Sequence, residues 1–124
     1  MIIWIIIGAI GIIIGTIGVG IMYKNENNYI DDSKVTVSLL MTIFGYGIGV
    51  ALFLGIIAFT AEYNEFIAQY NMIENYIENN TNPDKIIIVN INSKLLEYQA
   101  KKQIYGIFSL YPDSILNLEY IKVP

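Results

Sequence analysis

Two long apolar runs, separated by a short polar stretch, open the chain. Residues 2–23 carry no charged side chain, and residues 35–61 carry none either. As a helix the first run spans roughly 33 Å at about 1.5 Å per residue. That matches a hydrocarbon core of about 30 Å. The second run, 27 residues long, exceeds the need and predicts a tilted helix or ends that leave the lipid. In lipid every backbone N–H must be bonded within its own segment, so both runs are predicted as transmembrane helices despite their many isoleucines. Trp4 and Tyr23 lie near opposite ends of the first run, where aromatic rings suit the two interfaces. No Lys or Arg precedes the first run and no A-x-A site follows it, so an uncleaved span is expected rather than a signal peptide.

Past residue 61 the period changes from uniformly apolar to amphipathic. Phe66, Tyr70, Ile73 and Ile77 are spaced 4, 3 and 4, with Ile67 alongside, which predicts a helix over 62–80. A turn follows at 79–83, where Asn82 and Pro83 suit the N-cap and first position of a new helix and Asp84 complements its N-terminus. The segment "IIIVNI" alone would suit a strand. Ile88, Ile91, Leu95 and Tyr98, spaced 3, 4 and 3, instead favour a helix running to Tyr105, ended by Gly106. These two helices predict an antiparallel hairpin over 62–105. A charge-based register sets Glu78 against Lys85, Glu62 against Lys101, Ile77 against Ile86 and Ile67 against Leu96. Residues 106–124 form a short apolar tail with a turn at Pro112–Ser114, expected to fold back onto the hairpin or the membrane surface; the alternative is a docking strip for a partner.

The expected fold is therefore an all-α membrane protein. A transmembrane hairpin (residues 1–61, linker 24–34) precedes an extramembrane helical hairpin and the tail. Glycines sharpen this picture. Gly8, Gly11, Gly15 and Gly18 form one stripe on the first span, spaced 3, 4 and 3. On the second span Gly47, Ala51 and Gly55 are spaced by four with Ala58 three further on, and Gly45 and Gly49 make another G-x-x-x-G. Small residues let helix backbones approach closely in lipid. The favoured reading sets the two stripes against each other within one chain; a homo-oligomer through the same glycines is the second reading. "GYGIG" at 45–49 lacks a preceding strand and a Lys, so it is not read as a phosphate loop.

Composition removes most chemistry. Charged residues are 15% and hydrophobic residues 55%, with no Cys and no His, so disulfides, thiolate metal sites and histidine-dependent catalysis are excluded. A net charge of −4 disfavours nucleic acid. No ionisable residue falls inside either apolar run, as a proton relay or ion path would require. Paired acids such as Glu62 and Glu65 read as a solvated helix face. The expectation is a non-enzyme without cofactor or metal, whose partners are the lipid bilayer, a second copy of itself or an envelope protein. Lys24 and Lys34 lie in the linker, whereas the first Lys after the second span is Lys85. This bias leans the linker toward the cytoplasm and both termini outward.

Several short motifs carry a resemblance. Glu62 and Tyr63 open the hairpin, "IAQYNMIE" occupies 67–74 and "YPDSILNLEYI" occupies 111–121, behind two glycine-dotted spans. In this layout the chain resembles a loose group of small two-span membrane proteins encoded by phages and prophages of AT-rich, low-GC bacteria. It departs from them in a hairpin with fewer charges and in the ending "YIKVP". The 27 Ile and 12 Asn fit an AT-rich genome. The resemblance implies origin and architecture, in a bacterial inner membrane, rather than an activity. An interaction protein acting in superinfection exclusion or host-membrane modulation is expected first. A holin-like pore-former comes second and a membrane component of a virion third.

Overall fold

A computed structural model describes residues 1–26, 32–79 and 82–124. Three α-helices follow one another: α1 (Ile2–Glu26), α2 (Asp32–Glu78) and α3 (Lys85–Tyr105). Two 3-10 turns, η1 (Gly106–Phe108) and η2 (Asp113–Asn117), shape the tail. Residues 27–31 of the expected linker and 80–81 of the expected turn lie outside the described residues.

The sequence divides the second span from the first hairpin helix at residue 61, but α2 runs through that point as one helix of 47 residues. The reason is local. From residue 56 to 78 there is neither Gly nor Pro, and helix propagation adds one backbone bond per residue at little cost once begun. The change from apolar to amphipathic composition changes what surrounds the helix, not its conformation. The chain forms two compact units, Ile2–Ile57 and Ala58–Pro124, the latter joined by Met1.

In the first unit, α1 lies antiparallel to the front part of α2. Gly8 neighbours Phe53, Gly11 neighbours Gly45 and Gly49, and Gly18 neighbours Ser38 and Thr42. Both α1 and α2 are long and apolar enough to cross a membrane, and only 17% and 11% of their most apolar windows are buried. Ile10, Ile13, Ile43, Leu54 and Ile57 all point outward. A core helix of a water-soluble domain buries such side chains.

In the second unit, the rear part of α2 and α3 bury Phe66, Tyr70, Ile73, Ile88, Ile91, Leu95 and Tyr98 around Ile115 and Ile121 of the tail. Ile67 and Ile77 are partly buried against this cluster. The segment "IIIVNI" is helical. Its cap is Asp84 rather than the expected Asn82: the Asp84 Oδ1 accepts the Ile86 N–H at 2.9 Å. Asp84 satisfies an orphan donor and sets a negative charge at the helix N-terminus, and Pro83 precedes the helix. At the other end Gly106 stands at φ +52°, ψ −119°, and its N–H closes on the Lys102 carbonyl. A side chain is strained there. Gly106→Ala is expected to destabilise the second unit by about 1–3 kcal/mol, measurable as a lowered midpoint in denaturant titration of the detergent-solubilised protein.

Candidate functional site

Two constructions organise the molecule: a glycine seam in the first unit and an aromatic, tail-covered hairpin in the second. In the seam Gly8, Gly11, Gly15 and Gly18 are all buried. Their spacing of alternating three and four keeps them on one face of α1. A Cβ at Gly18 would fall 2.5 Å from the Thr42 hydroxyl and 2.7 Å from the Ser38 carbonyl. A Cβ at Gly45 would fall 2.6 Å from the Gly11 carbonyl, and one at Gly49 would lie 2.8 Å from the Ile12 side chain. The helix backbones touch here because no side chain stands between them.

The face that α2 offers to this seam differs from the expected one. Gly47, Ala51, Gly55 and Ala58 are exposed, and nothing lies within 4 Å of a Cβ built at Gly47 or Gly55. The seam uses Ser38, Thr42, Gly45 and Gly49 instead, spaced 4, 3 and 4. The state of the hydroxyls permits this. Ser38 donates to the Val35 carbonyl (2.9 Å) and Thr42 to the Ser38 carbonyl (2.8 Å). Each is thereby self-satisfied and behaves as a small residue. Counting Ser and Thr with Gly would have revealed this stripe, which repeats the period of the α1 stripe. Across the seam Thr16 donates to the Ile12 carbonyl (2.9 Å), so its only proton is used, and the Tyr46 hydroxyl donates to Thr16 (3.1 Å).

The second unit is built around rings. Phe66 meets Tyr98 edge-on at 5.0 Å between centroids, Tyr98 stacks on Tyr111 at 4.7 Å, and Tyr111 meets Phe59 edge-on at 4.7 Å. Because Phe66 faces Tyr98 rather than Glu97, the register shifts by one residue from the charge-based one. That shift turns α3 by about 100°. Ile86 and Leu96, expected to face Ile77 and Ile67, are 67% and 58% exposed. The expected pairs Glu78–Lys85 and Glu62–Lys101 do not form. Among the described residues the ion pairs are Glu97 with Lys101, one turn apart in α3, and Lys102 with Asp113 at 2.8 Å. Exposed pairs contribute well under about 1 kcal/mol, so burial of rings overrides them.

The tail is held on the hairpin by backbone-directed side chains. Asn92 exchanges two hydrogen bonds with Ile121, donating to its carbonyl at 2.8 Å and accepting its N–H at 2.9 Å. Gln99 donates to the carbonyls of Ile115 (3.0 Å) and Leu118 (2.9 Å). The Tyr70 hydroxyl donates to the Glu119 carbonyl at 2.7 Å. The sequence reading missed Asn92 and Gln99. Their separation of seven, two turns on one side of α3 beside its apolar face, was the available signal.

Electrostatics follow from this packing. Burial, reinforced by Glu74 beside Tyr70 and by Glu62 beside Tyr98 and Tyr111, pushes all three phenols up to about 12. The hydrogen bond and charge of Lys102 hold Asp113 below the usual carboxylate range. Among the described residues no cluster of three acidic side chains is placed to hold a metal ion. No family model matches the chain, and comparisons with curated proteins and with solved structures give no match.

Two measurements check this geometry. Gly45→Leu should destabilise the first unit by about 1–3 kcal/mol through overpacking. Gly47→Leu should shift it by less than about 1 kcal/mol; unfolding in mixed micelles compares them. Unfolded, Tyr70, Tyr98 and Tyr111 ionise near 10, below their folded values. Their contribution is complete below about pH 10 and is lost as pH rises through about 12. Phenolate absorbance should rise together with loss of near-ultraviolet circular dichroism across that window.

Proposed function

We propose that this protein is a non-enzymatic integral membrane protein whose extramembrane unit docks a partner at a bacterial envelope. Membrane insertion is supported by α1 and α2, whose apolar side chains find so little protein to cover them. The observation that carries the docking reading is the outer face of α3. Ile86, Val89 and Leu96 are 67%, 56% and 58% exposed and lie on the side of the helix away from Ile88, Ile91, Leu95 and Tyr98. Ser93 falls in the same row. A helix apolar on two opposite faces has one face for its own core and one to spare. The folded-back tail leaves that second face open, so the hairpin offers it with the tail as its support.

The setting, a host membrane carrying phage or prophage genes, comes from the resemblance of the spans, hairpin and "YPDSILNLEYI" motif. Exclusion of a second phage or modulation of a membrane complex suits such a surface, and outward-facing termini favour exclusion. A second reading, a self-associating pore of the holin kind, is favoured by the open row Gly47, Ala51, Gly55 and Ala58. Another copy would pack there without displacing α1.

Expression in a bacterial host separates these readings. The docking reading expects the protein in the membrane fraction after an alkaline wash, an intact membrane potential, and fewer plaques on challenge infection. Val89→Asp with Leu96→Asp should restore the plaques while leaving the membrane fraction unchanged. Prompt depolarisation, removed by Gly47→Leu with Gly55→Leu, would overturn docking in favour of the pore.

A further inference from the structure

We infer that the corner joining α3 to η1 is an interfacial lipid anchor, with Ile104, Tyr105 and Ile107 seated at the headgroup–acyl boundary. The inference rests on the membrane reading above and adds a second, non-spanning contact between the extramembrane unit and the bilayer.

The corner is apolar and outward. Ile104, Tyr105 and Ile107 are 75%, 59% and 71% exposed, a concentration of bare apolar surface at one point of the unit. Residues 103–111, "QIYGIFSLY", carry no charge, while Lys101, Lys102 and Asp113 bracket them. Gly106, at φ +52°, ends α3 between Tyr105 and Ile107, and the side chains on both sides of it are exposed. Ile104, Tyr105 and Ile107 take no part in the unit's buried cluster around Ile115 and Leu95.

The height of the corner is fixed from three sides. Before it, the Tyr98 hydroxyl reaches the Glu62 carboxylate at 3.4 Å. Glu62 is the first charged residue after the apolar run of α2. From Tyr98 to Ile104 the antiparallel α3 advances roughly 9 Å toward that run. After the corner, Tyr111 sets its ring 4.7 Å from Phe59, inside the run. The Met1 amine, which belongs to the same unit, donates to the Ser109 carbonyl at 2.9 Å. Once lipid reaches the end of the apolar run at 58–61, the corner beside it lies at the membrane boundary. Apolar side chains with a tyrosine among them are the residues that partition there. Continuity with the apolar run names the occupant as lipid rather than a second protein.

The protein has no Cys, so single cysteines carry nitroxide labels without background. Full-length Ile107→Cys and Tyr105→Cys would be placed in vesicles of phosphatidylcholine and phosphatidylglycerol, beside Ile10→Cys in the first span and Ser93→Cys on α3. Collision with oxygen, which concentrates in lipid, is compared with collision with a water-soluble nickel chelate. The expected result is oxygen preference at 105, 107 and 10, and nickel preference at 93. Nickel preference at 105 and 107, with oxygen preference kept at 10, overturns the anchor and leaves the membrane reading standing. Protection from both quenchers at 105 and 107 overturns it in favour of a protein cover. Nickel preference at 10 overturns the membrane reading and the anchor together.

Discussion

One helix carries two different kinds of packing surface without a break. The 47 residues of α2 keep a single backbone conformation from Asp32 to Glu78, and only the side chains change. At its front, the helix strips one face to Ser38, Thr42, Gly45 and Gly49 so that another backbone can lie against it. At its rear, the same helix fills a face with Phe66, Tyr70 and Ile73. The contrast reflects the driving forces. Between helices in lipid, greasy side chains gain nothing from each other that acyl chains do not already give, so contact depends on backbone proximity. In water, burying rings and isoleucines is itself the stabilising term. The two halves of α2 differ in the way those two driving forces would ask, and an uninterrupted helix joins them.

Legibility in the sequence followed the strength of each signal. The helix periods of the hairpin marked Phe66, Tyr70, Ile73, Ile88, Ile91, Leu95 and Tyr98, the residues that the structure buries, because amphipathic spacing in water has one solution. The α2 seam was assigned to the wrong face for the opposite reason. Inside a run where every residue is apolar or small there is no polar face to orient the helix. Two rows of small residues then compete on opposite sides. The row containing serine and threonine is the one in the seam, which it can be because hydroxyls bonded to their own helix leave no unpaired donor.

The charge-based register failed by one residue for a quantitative reason. Exposed carboxylate–ammonium pairs are weak and tolerant of position, whereas a ring such as Tyr98, wedged between Phe66 and Tyr111, accepts few placements. Asp84 displaced Asn82 as the cap by a similar economy: it adds a full negative charge to the same hydrogen bond. The folded-back course of the tail was the expected one, but the means of holding it was not legible. Asn92 and Gln99 recognise peptide groups rather than side chains, and no sequence pattern in the tail announces its own backbone.

That mode of holding has a consequence for how the C-terminal segment can vary. Asn92 and Gln99 bond to peptide groups that almost any residue would supply. From Ile115 onward, Ile115 and Ile121 are the enclosed side chains, with Leu118 half so. Leu116, Asn117, Glu119 and Tyr120 between them are exposed side chains. Mutational drift can therefore rewrite those four positions, and an amide-clasped strap of altered spelling would still fasten in the same place.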